Sequence, residues 1–181
     1  MRRDYAAAGR RAGRVSAAAT KKRFLMTDAG HGVVPLSTLK TMSGLDFLQA
    51  MIDGRLPRAP MGATLNFVPV AVSKGFMAFE GTPGPEHYNP IGTVHGGYAA
   101  TMLDSCMGCA VQSTLTQGYA YTTLEFKINL LRAITSDTGV VRAEGTVVSS
   151  GRRVATADGK LVDSNGRLLA TGTTTCLVME L

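Results

Sequence analysis

The sequence contains no run of about 18 apolar residues, the length that a helix needs to cross a bilayer, and we therefore expect no membrane association. Apolar residues make up 45% of the 181 positions, which is an ordinary share for a globular protein. A chain of this length supports one domain with a sizeable core and is too short for two.

Cysteine is scarce: there are three, an odd number, and no apolar stretch near the start of the sequence has the character of a secretion signal. We therefore expect free thiols, a reducing compartment and a cytoplasmic protein. Cys106 and Cys109 form a C-x-x-C motif. In redox proteins this motif stands at the start of a helix, whereas here it lies inside an apolar run. A zinc site needs four ligands, and the sequence has no second cysteine pair. We therefore predict that Cys106 and Cys109 are buried core residues, and that the protein has no metal and no cofactor.

Acidic residues are almost missing from positions 1–25, where eight basic residues face only Asp4. This segment has a charge of +7. Because the net charge of the chain is +6, the other 156 residues together carry −1. A nucleic-acid interface places its basic patch on the folded domain, and we therefore expect no nucleic-acid partner. The Ala-, Arg- and Gly-rich composition is typical of a disordered arm, with a transit peptide as the alternative. We assign 1–40 to a basic arm and loop, disordered at least in part, and 41–181 to a single domain.

The apolar periodicity predicts one long buried helix within an antiparallel sheet. The helix at 96–113 is hydrophobic nearly all round, which is typical of a buried helix. It is the only element long and apolar enough to cover the apolar face of a sheet. We therefore predict an α+β fold in which the sheet wraps this helix. The other predicted elements are a loop at 26–40, a short helix at 43–54 and strands at 64–72 (edge or bulged, because of Pro69), 76–80, 124–130, 139–149, 152–162 and 168–178.

Charge is also missing from the middle of the chain. From His87 through Leu124 there are 38 residues, and Asp104 is the only Asp, Glu, Lys or Arg among them. Placing a carboxylate in an apolar run costs stability, a cost that proteins tolerate at working sites. A satisfied core carboxylate is the alternative interpretation.

His95-Gly96-Gly97 stands at the start of the predicted helix, where backbone N–H groups are unpaired and carry a partial positive charge. Glycine lets a ligand approach the backbone, so the Gly96 N–H is placed to polarise a carbonyl; a tight entry into the helix is the alternative. Asp104 lies nine residues beyond His95, about 12–14 Å along a helix. The two are therefore either unrelated or brought together by the second chain of a symmetric dimer.

The spacing Asn89-x5-His95-Gly96-Gly97-x6-Asp104, followed by Thr122-Thr123-Leu124-Glu125-Phe126, closely resembles hotdog-fold acyl-CoA thioesterases of the phenylacetate-pathway (PaaI) type. The resemblance covers about residues 43–180, including the Ser-Gly-Leu-Asp-Phe-Leu opening and the late Ser-Gly-Arg-Arg and Ser-Asn-Gly-Arg-Leu turns. It implies a hotdog fold, an acyl-CoA substrate and a homodimer, which we expect to pair further into a dimer-of-dimers tetramer.

The resemblance also implies a division of roles. Gly96 N–H, helped by Asn89, polarises the thioester carbonyl, while Asp104 of the partner subunit acts as general base or nucleophile. His95 and Gly97 position the thioester. Thr123 matches the position of a hydroxyl that holds the attacking water, with Thr122 one residue away on the other face of the strand. Arg152 and Arg153, with Lys127 and Arg132 behind them, are the candidates for binding the phosphates of coenzyme A.

Two other functions fit the same fold. A hydratase acting on acyl thioesters usually has a His-Phe-Pro segment, which this sequence lacks, and the spacing of Asp104 favours hydrolysis. A non-catalytic acyl-CoA-binding or regulatory module has no need of a buried acid. We therefore predict a thioester hydrolase.

Overall fold

The computed structural model describes residues 29–181, and the basic segment at 1–28 lies outside the described residues. Along this part of the chain, short helices precede a six-stranded sheet that is interrupted once by a long helix. The elements are α1 (Leu36–Leu39), α2 (Gly44–Ile52), α3 (Pro60–Thr64), β1 (Phe67–Ser73), β2 (Phe76–Gly81), α4 (Gly96–Gln112), β3 (Tyr119–Leu130), β4 (Val141–Ser150), β5 (Val154–Asp163) and β6 (Leu168–Glu180), with 3-10 turns at Pro85–His87 and Ser136–Thr138.

The strands form one antiparallel sheet in the order β1-β2-β4-β5-β6-β3, so β1 and β3 are its edges. Helix α4 packs against all six strands. Its inward side chains, Met102, Leu103, Cys106 and Met107, are fully buried in the core. The predicted α+β architecture, a sheet wrapped around one long helix, is confirmed. No helix within residues 29–181 is both long and apolar enough to span a membrane.

Helix α2 confirms the short helix predicted from Ser43 onward. The Ser43 hydroxyl accepts a hydrogen bond from the Asp46 N–H at 3.2 Å, which satisfies one of the free donors of the first turn. Leu48 is buried against the core, and after the helix the chain turns at Gly54 with a φ of 74°. The capping residue and the spacing of Leu45, Leu48 and Ile52 were therefore sufficient to locate this element.

Two short helices differ from the prediction. The loop predicted at 26–40 contains α1, and α3 extends to Thr64, where the first strand was predicted to begin, so that β1 begins at Phe67. Pro60 occupies the first helical position, where its missing N–H costs nothing. Helices of four or five residues are too short to show a helical apolar period, which is why the pattern did not reveal them. Pro69, as predicted, lies on an edge strand and beside a bulge.

A row of three glycines lets α4 lie close to the sheet. Gly145, Gly159 and Gly172 are direct partners on β4, β5 and β6. A Cβ atom on Gly145 would lie 2.3 Å from the carbonyl oxygen of Cys106, and one on Gly159 would lie 2.8 Å from Cγ of Met107. Neither approach is possible with a larger residue, so the close contact between helix and sheet depends on this row.

Strand β3 is longer than predicted and leaves much of its apolar surface uncovered. It begins at Tyr119, and a bulge between Thr123 and Glu125 interrupts its register with β6. Leu124 and Leu130 are 56% and 55% exposed. Within the described residues β3 pairs with β6 alone, so its outer edge is unpaired.

Candidate active site

The start of α4 presents an unpaired backbone donor. His95 is the N-cap residue, and its Nδ1 accepts a hydrogen bond from the Gly97 N–H at 2.9 Å, while its carbonyl oxygen accepts one from the Tyr98 N–H at 2.9 Å. Because Nδ1 is an acceptor, the proton of the neutral imidazole is on Nε2. The Gly96 N–H has no hydrogen-bond partner within residues 29–181. It is therefore available to a ligand.

Asn89 organises the loop that leads into this helix. Its Oδ1 accepts hydrogen bonds from the N–H groups of Ile91 at 3.1 Å and Thr93 at 3.2 Å, and its Nδ2 donates to the Thr93 hydroxyl at 2.9 Å. The loop is tied down at its far end, where the His95 N–H donates to the His87 carbonyl at 2.8 Å. The contacts of Asn89 are thus within its own loop, and its part in polarising a carbonyl stays a prediction.

A groove of about 260 Å³ opens in front of these groups; we call it the Gly96 groove. A Cβ atom on Gly96 would lie 2.7 Å from Cδ1 of Leu130, so a larger residue would displace the Leu130 side chain. Asn89, His95, Gly96, Leu130 and Arg132 are among its lining residues. The groove therefore combines a free N–H, an imidazole and a guanidinium group.

Asp104 belongs to a different groove. Its half-buried carboxylate accepts a hydrogen bond at Oδ1 from the Thr123 hydroxyl at 2.9 Å. Both side chains line a groove of about 640 Å³, the Asp104 groove, and Thr122 also lies at its wall. Of the two threonines that the sequence offered, the structure thus places Thr123 in contact with the acid.

The two grooves share no lining residue within the described part of the chain. Asp104 follows Gly96 by eight positions on the same helix, an axial distance of about 12 Å. A carbonyl carbon bound at the Gly96 N–H is therefore out of reach of Asp104 in the same chain. One chain holds two separate half-sites, each with part of the predicted set of groups.

Cys109 and Tyr121 line the Asp104 groove beyond the acid. Burial raises the pKa of the Cys109 thiol to about 12, and burial also raises the pKa of Tyr121 well above its usual value. Both groups are therefore protonated at neutral pH, and Cys109 is no thiolate nucleophile. Cys106 is fully buried, as predicted, whereas Cys109 is only partly buried, and all three cysteines are free. Residues 29–181 contain no group of three or more His, Cys, Asp or Glu placed to hold a metal ion.

The arginine residues expected to bind the phosphates of coenzyme A differ in their positions relative to the two grooves. Arg152 and Arg153 are exposed at the turn between β4 and β5, and neither lines the Gly96 groove or the Asp104 groove. Arg132 lines the Gly96 groove, where its Nη1 donates to the Leu168 carbonyl. In the sequence Arg132 is a weaker candidate than the arginine pair, because the order of residues does not show that the segment after β3 passes in front of the start of α4.

An antiparallel sheet curled around one long helix, with the polar groups at the helix start and along its flank, defines the hotdog class of proteins. The family model of the thioesterase superfamily matches residues 91–170. A phenylacetic acid degradation-related protein from Ralstonia eutropha JMP134 is 30% identical in a match that covers 72% of this chain and 98% of that one, with a TM-score of 0.66. The chain belongs to the thioesterase superfamily and is a thioester hydrolase.

Two further solved structures are similar. A Streptococcus mutans UA159 protein, whose structure holds acetyl-CoA, is 28% identical over 64% of this chain and 90% of that one, with a TM-score of 0.58. The PaaI protein of the Escherichia coli phenylacetic acid degradation operon is 18% identical over 78% of this chain and 96% of its own, with a TM-score of 0.65, a likeness of fold. No curated protein sequence matches the chain. The predicted resemblance to PaaI-type hotdog thioesterases is confirmed.

Proposed function

We propose that the protein is an acyl-CoA thioesterase, which hydrolyses an acyl-CoA thioester to the free acid and coenzyme A at a site shared by two chains. The observation that carries the proposal is the separation of the half-sites: the free Gly96 N–H lies in one groove and the Asp104–Thr123 pair in another. The acetyl-CoA held by the similar Streptococcus mutans protein supports the class of substrate.

Strand β3 supplies a means of joining the half-sites. It contributes Thr123 to the Asp104 groove and, near its other end, Leu130 to the Gly96 groove. If two copies of β3 pair antiparallel about a two-fold axis, the Thr123 end of one strand lies beside the Leu130 end of the other. The unpaired edge of β3 and the exposed side chains of Leu124 and Phe126 are suited to this contact. The homodimer is therefore part of the proposal, and a further pairing into a tetramer stays a prediction.

In this arrangement the thioester carbonyl oxygen accepts a hydrogen bond from the Gly96 N–H, where the helix dipole stabilises the negative charge that develops on it. Asp104 of the partner subunit takes a proton from water as the water oxygen bonds to the carbonyl carbon. The carbon–sulfur bond then breaks and the thiolate of coenzyme A leaves. In the alternative course the carboxylate of the partner's Asp104 attacks the carbonyl carbon itself, the carbon–sulfur bond breaks and releases the thiolate of coenzyme A, and water then hydrolyses the resulting mixed anhydride to the free acid and the carboxylate.

The remaining side chains orient these groups. The Nε2–H of His95 is positioned to donate to the thioester or the leaving thiol, and Gly97 holds the His95 ring through its N–H. Asn89 keeps the loop in place. Thr123 fixes the carboxylate or its water, with Thr122 beside it at the groove wall. Arg152 and Arg153, together with Arg132, which lines the Gly96 groove, are proposed to bind the phosphates of coenzyme A.

The test is release of thiol from a panel of acyl-CoA thioesters by the wild type and by Asp104→Asn, which keeps the size of the side chain and removes the base. We expect turnover by the wild type and a loss of about 10²-fold or more in kcat for the variant. Asp158→Asn is the matched control, because Asp158 is exposed on β5 and lines neither groove of the proposed site. Binding of acyl-CoA without thiol release would support a binding module, and addition of water to an enoyl-CoA would support a hydratase.

A further inference from the structure

The Asp104 groove continues well beyond the acid. Cys109 and Gln112 line it five and eight positions after Asp104 on α4, so it extends about 12 Å along the helix axis. Its volume of about 640 Å³ lies within the range of sites that enclose a drug-sized ligand. An acetyl group would leave most of this space unfilled. Gln112, the last residue of α4, is buried and is the α4 lining residue furthest from Asp104.

Opposite the α4 and β3 residues, the wall of the groove is apolar, and two separate segments of the chain form it. Helix α2 contributes Phe47 and Met51, and the segment at 32–39 contributes Val34 and Leu39, both half-buried. Apolar walls on this scale favour an apolar occupant, because each methylene removed from water adds to binding. An extended chain that fits about 12 Å is an acyl group of medium length.

Backbone hydrogen bonds hold the start of this wall in place. The Gly32 N–H donates to the Arg58 carbonyl at 2.8 Å, and the Arg58 N–H donates to the Gly30 carbonyl at 2.9 Å. A third bond joins the Ala29 N–H to the Gly54 carbonyl at 3.3 Å. The segment is thus anchored to the loop after α2, and it precedes residues 91–170, over which the superfamily model matches.

We infer that the segment at 32–39 is one wall of an acyl-binding subsite that selects apolar acyl groups of medium length, with Val34 and Leu39 as residues that determine specificity. The inference rests on the proposed function, because it takes the Asp104 groove to receive the acyl part of the substrate. It adds a segment whose sequence predicted only a loop.

The test compares kcat/KM for acetyl-CoA, octanoyl-CoA and palmitoyl-CoA. For the wild type we expect octanoyl-CoA to exceed acetyl-CoA by at least about 10²-fold, since each additional methylene in an apolar pocket adds to discrimination. Palmitoyl-CoA should fall below octanoyl-CoA, because its extended chain is longer than the distance of about 12 Å between the Asp104 and Gln112 positions on α4. Leu39→Ala, and independently Val34→Ala, should lower the octanoyl-to-acetyl ratio about 10-fold.

Leu36→Ala is the matched control, because Leu36 belongs to the same segment but is 54% exposed and does not line the groove. It should leave the ratio unchanged. Three results would overturn this inference and leave the proposed function intact. The first is equal turnover of acetyl-CoA and octanoyl-CoA by the wild type, and the second is a preference for palmitoyl-CoA. The third is a loss in Leu39→Ala and Val34→Ala that is equal for acetyl-CoA and octanoyl-CoA. Absence of thiol release from every acyl-CoA would instead overturn the proposed function, and this inference with it.

Discussion

The Thr123 hydroxyl donates a hydrogen bond to Oδ1 of Asp104 at 2.9 Å, which connects the edge strand β3 to the middle of α4. The bond leaves Oδ2 of the carboxylate for a water molecule or a substrate. Since the two residues are 19 positions apart, it also fixes the register of β3 relative to the helix. The same strand is the one on which the proposed dimer depends.

Replacing Thr123 with Val should lower kcat by about 10- to 10²-fold, because a hydrogen bond to a charged group contributes about 1.5–3 kcal/mol. Steady-state thiol release measures the change. Thr173→Val is the control, since it makes the same chemical change at an exposed position of β6 that lines neither groove of the proposed site. Equal losses in the two variants would count against a specific role for Thr123.

A site shared between chains can be tested by mixing two inactive variants. Asp104→Asn disables one half-site, and Gly96→Val fills the space in front of the other, where a Cβ atom already meets Leu130. When the two variants are co-refolded in equal amounts, half of the dimers are mixed and one of their two sites is intact. We therefore expect recovery of about a quarter of wild-type activity. If both groups acted within one chain, mixing would restore nothing.

The arginine residues can be distinguished with a substrate that lacks the phosphates. A side chain that binds phosphate should raise KM for acyl-CoA about 10-fold when changed to Ala, with KM for the matching acyl-pantetheine thioester unchanged. We expect this of Arg132→Ala, whose side chain lines the Gly96 groove, and we propose it for Arg152→Ala and Arg153→Ala. Arg55→Ala is the control, because Arg55 is exposed and paired with Asp53 at 3.0 Å. An equal increase in KM for both substrates would point to a structural effect.

The glycine row predicts an order of stability losses. Gly145→Ala should lower the free energy of unfolding by about 3 kcal/mol or more, because its Cβ would lie 2.3 Å from the rigid carbonyl oxygen of Cys106. Gly172→Ala should cost about 1 kcal/mol or less, since the nearest atom to its Cβ would be the flexible end of Met107 at 3.1 Å, and the Lys127 carbonyl oxygen at 3.4 Å is at ordinary contact distance. Urea unfolding at one protein concentration measures both. The reverse order would show that the row does not set the distance between α4 and the sheet.

Local sequence patterns were sufficient for the elements that are long and regular. The nearly continuous apolar character of 96–113 predicted α4, Ser43 predicted the start of α2, and Pro69 predicted an edge or bulge on β1, because each of these signals acts within a few residues of the chain. The short helices α1 and α3 escaped prediction, because a single turn shows no period.

For the site, the sequence by itself determined which groups are present and how far apart they lie on α4. The order of residues shows that no other charged residue is near Asp104 in the sequence and that His95-Gly96 stands at the start of the helix. The helical rise then sets the distance between this pair and Asp104. Only the tertiary structure decided that Thr123 and not Thr122 contacts the acid, that Arg132 reaches the Gly96 groove, and that Val34 and Leu39 line the Asp104 groove. These contacts join residues distant in the chain, and they depend on strand register and loop path, which periodicity does not encode.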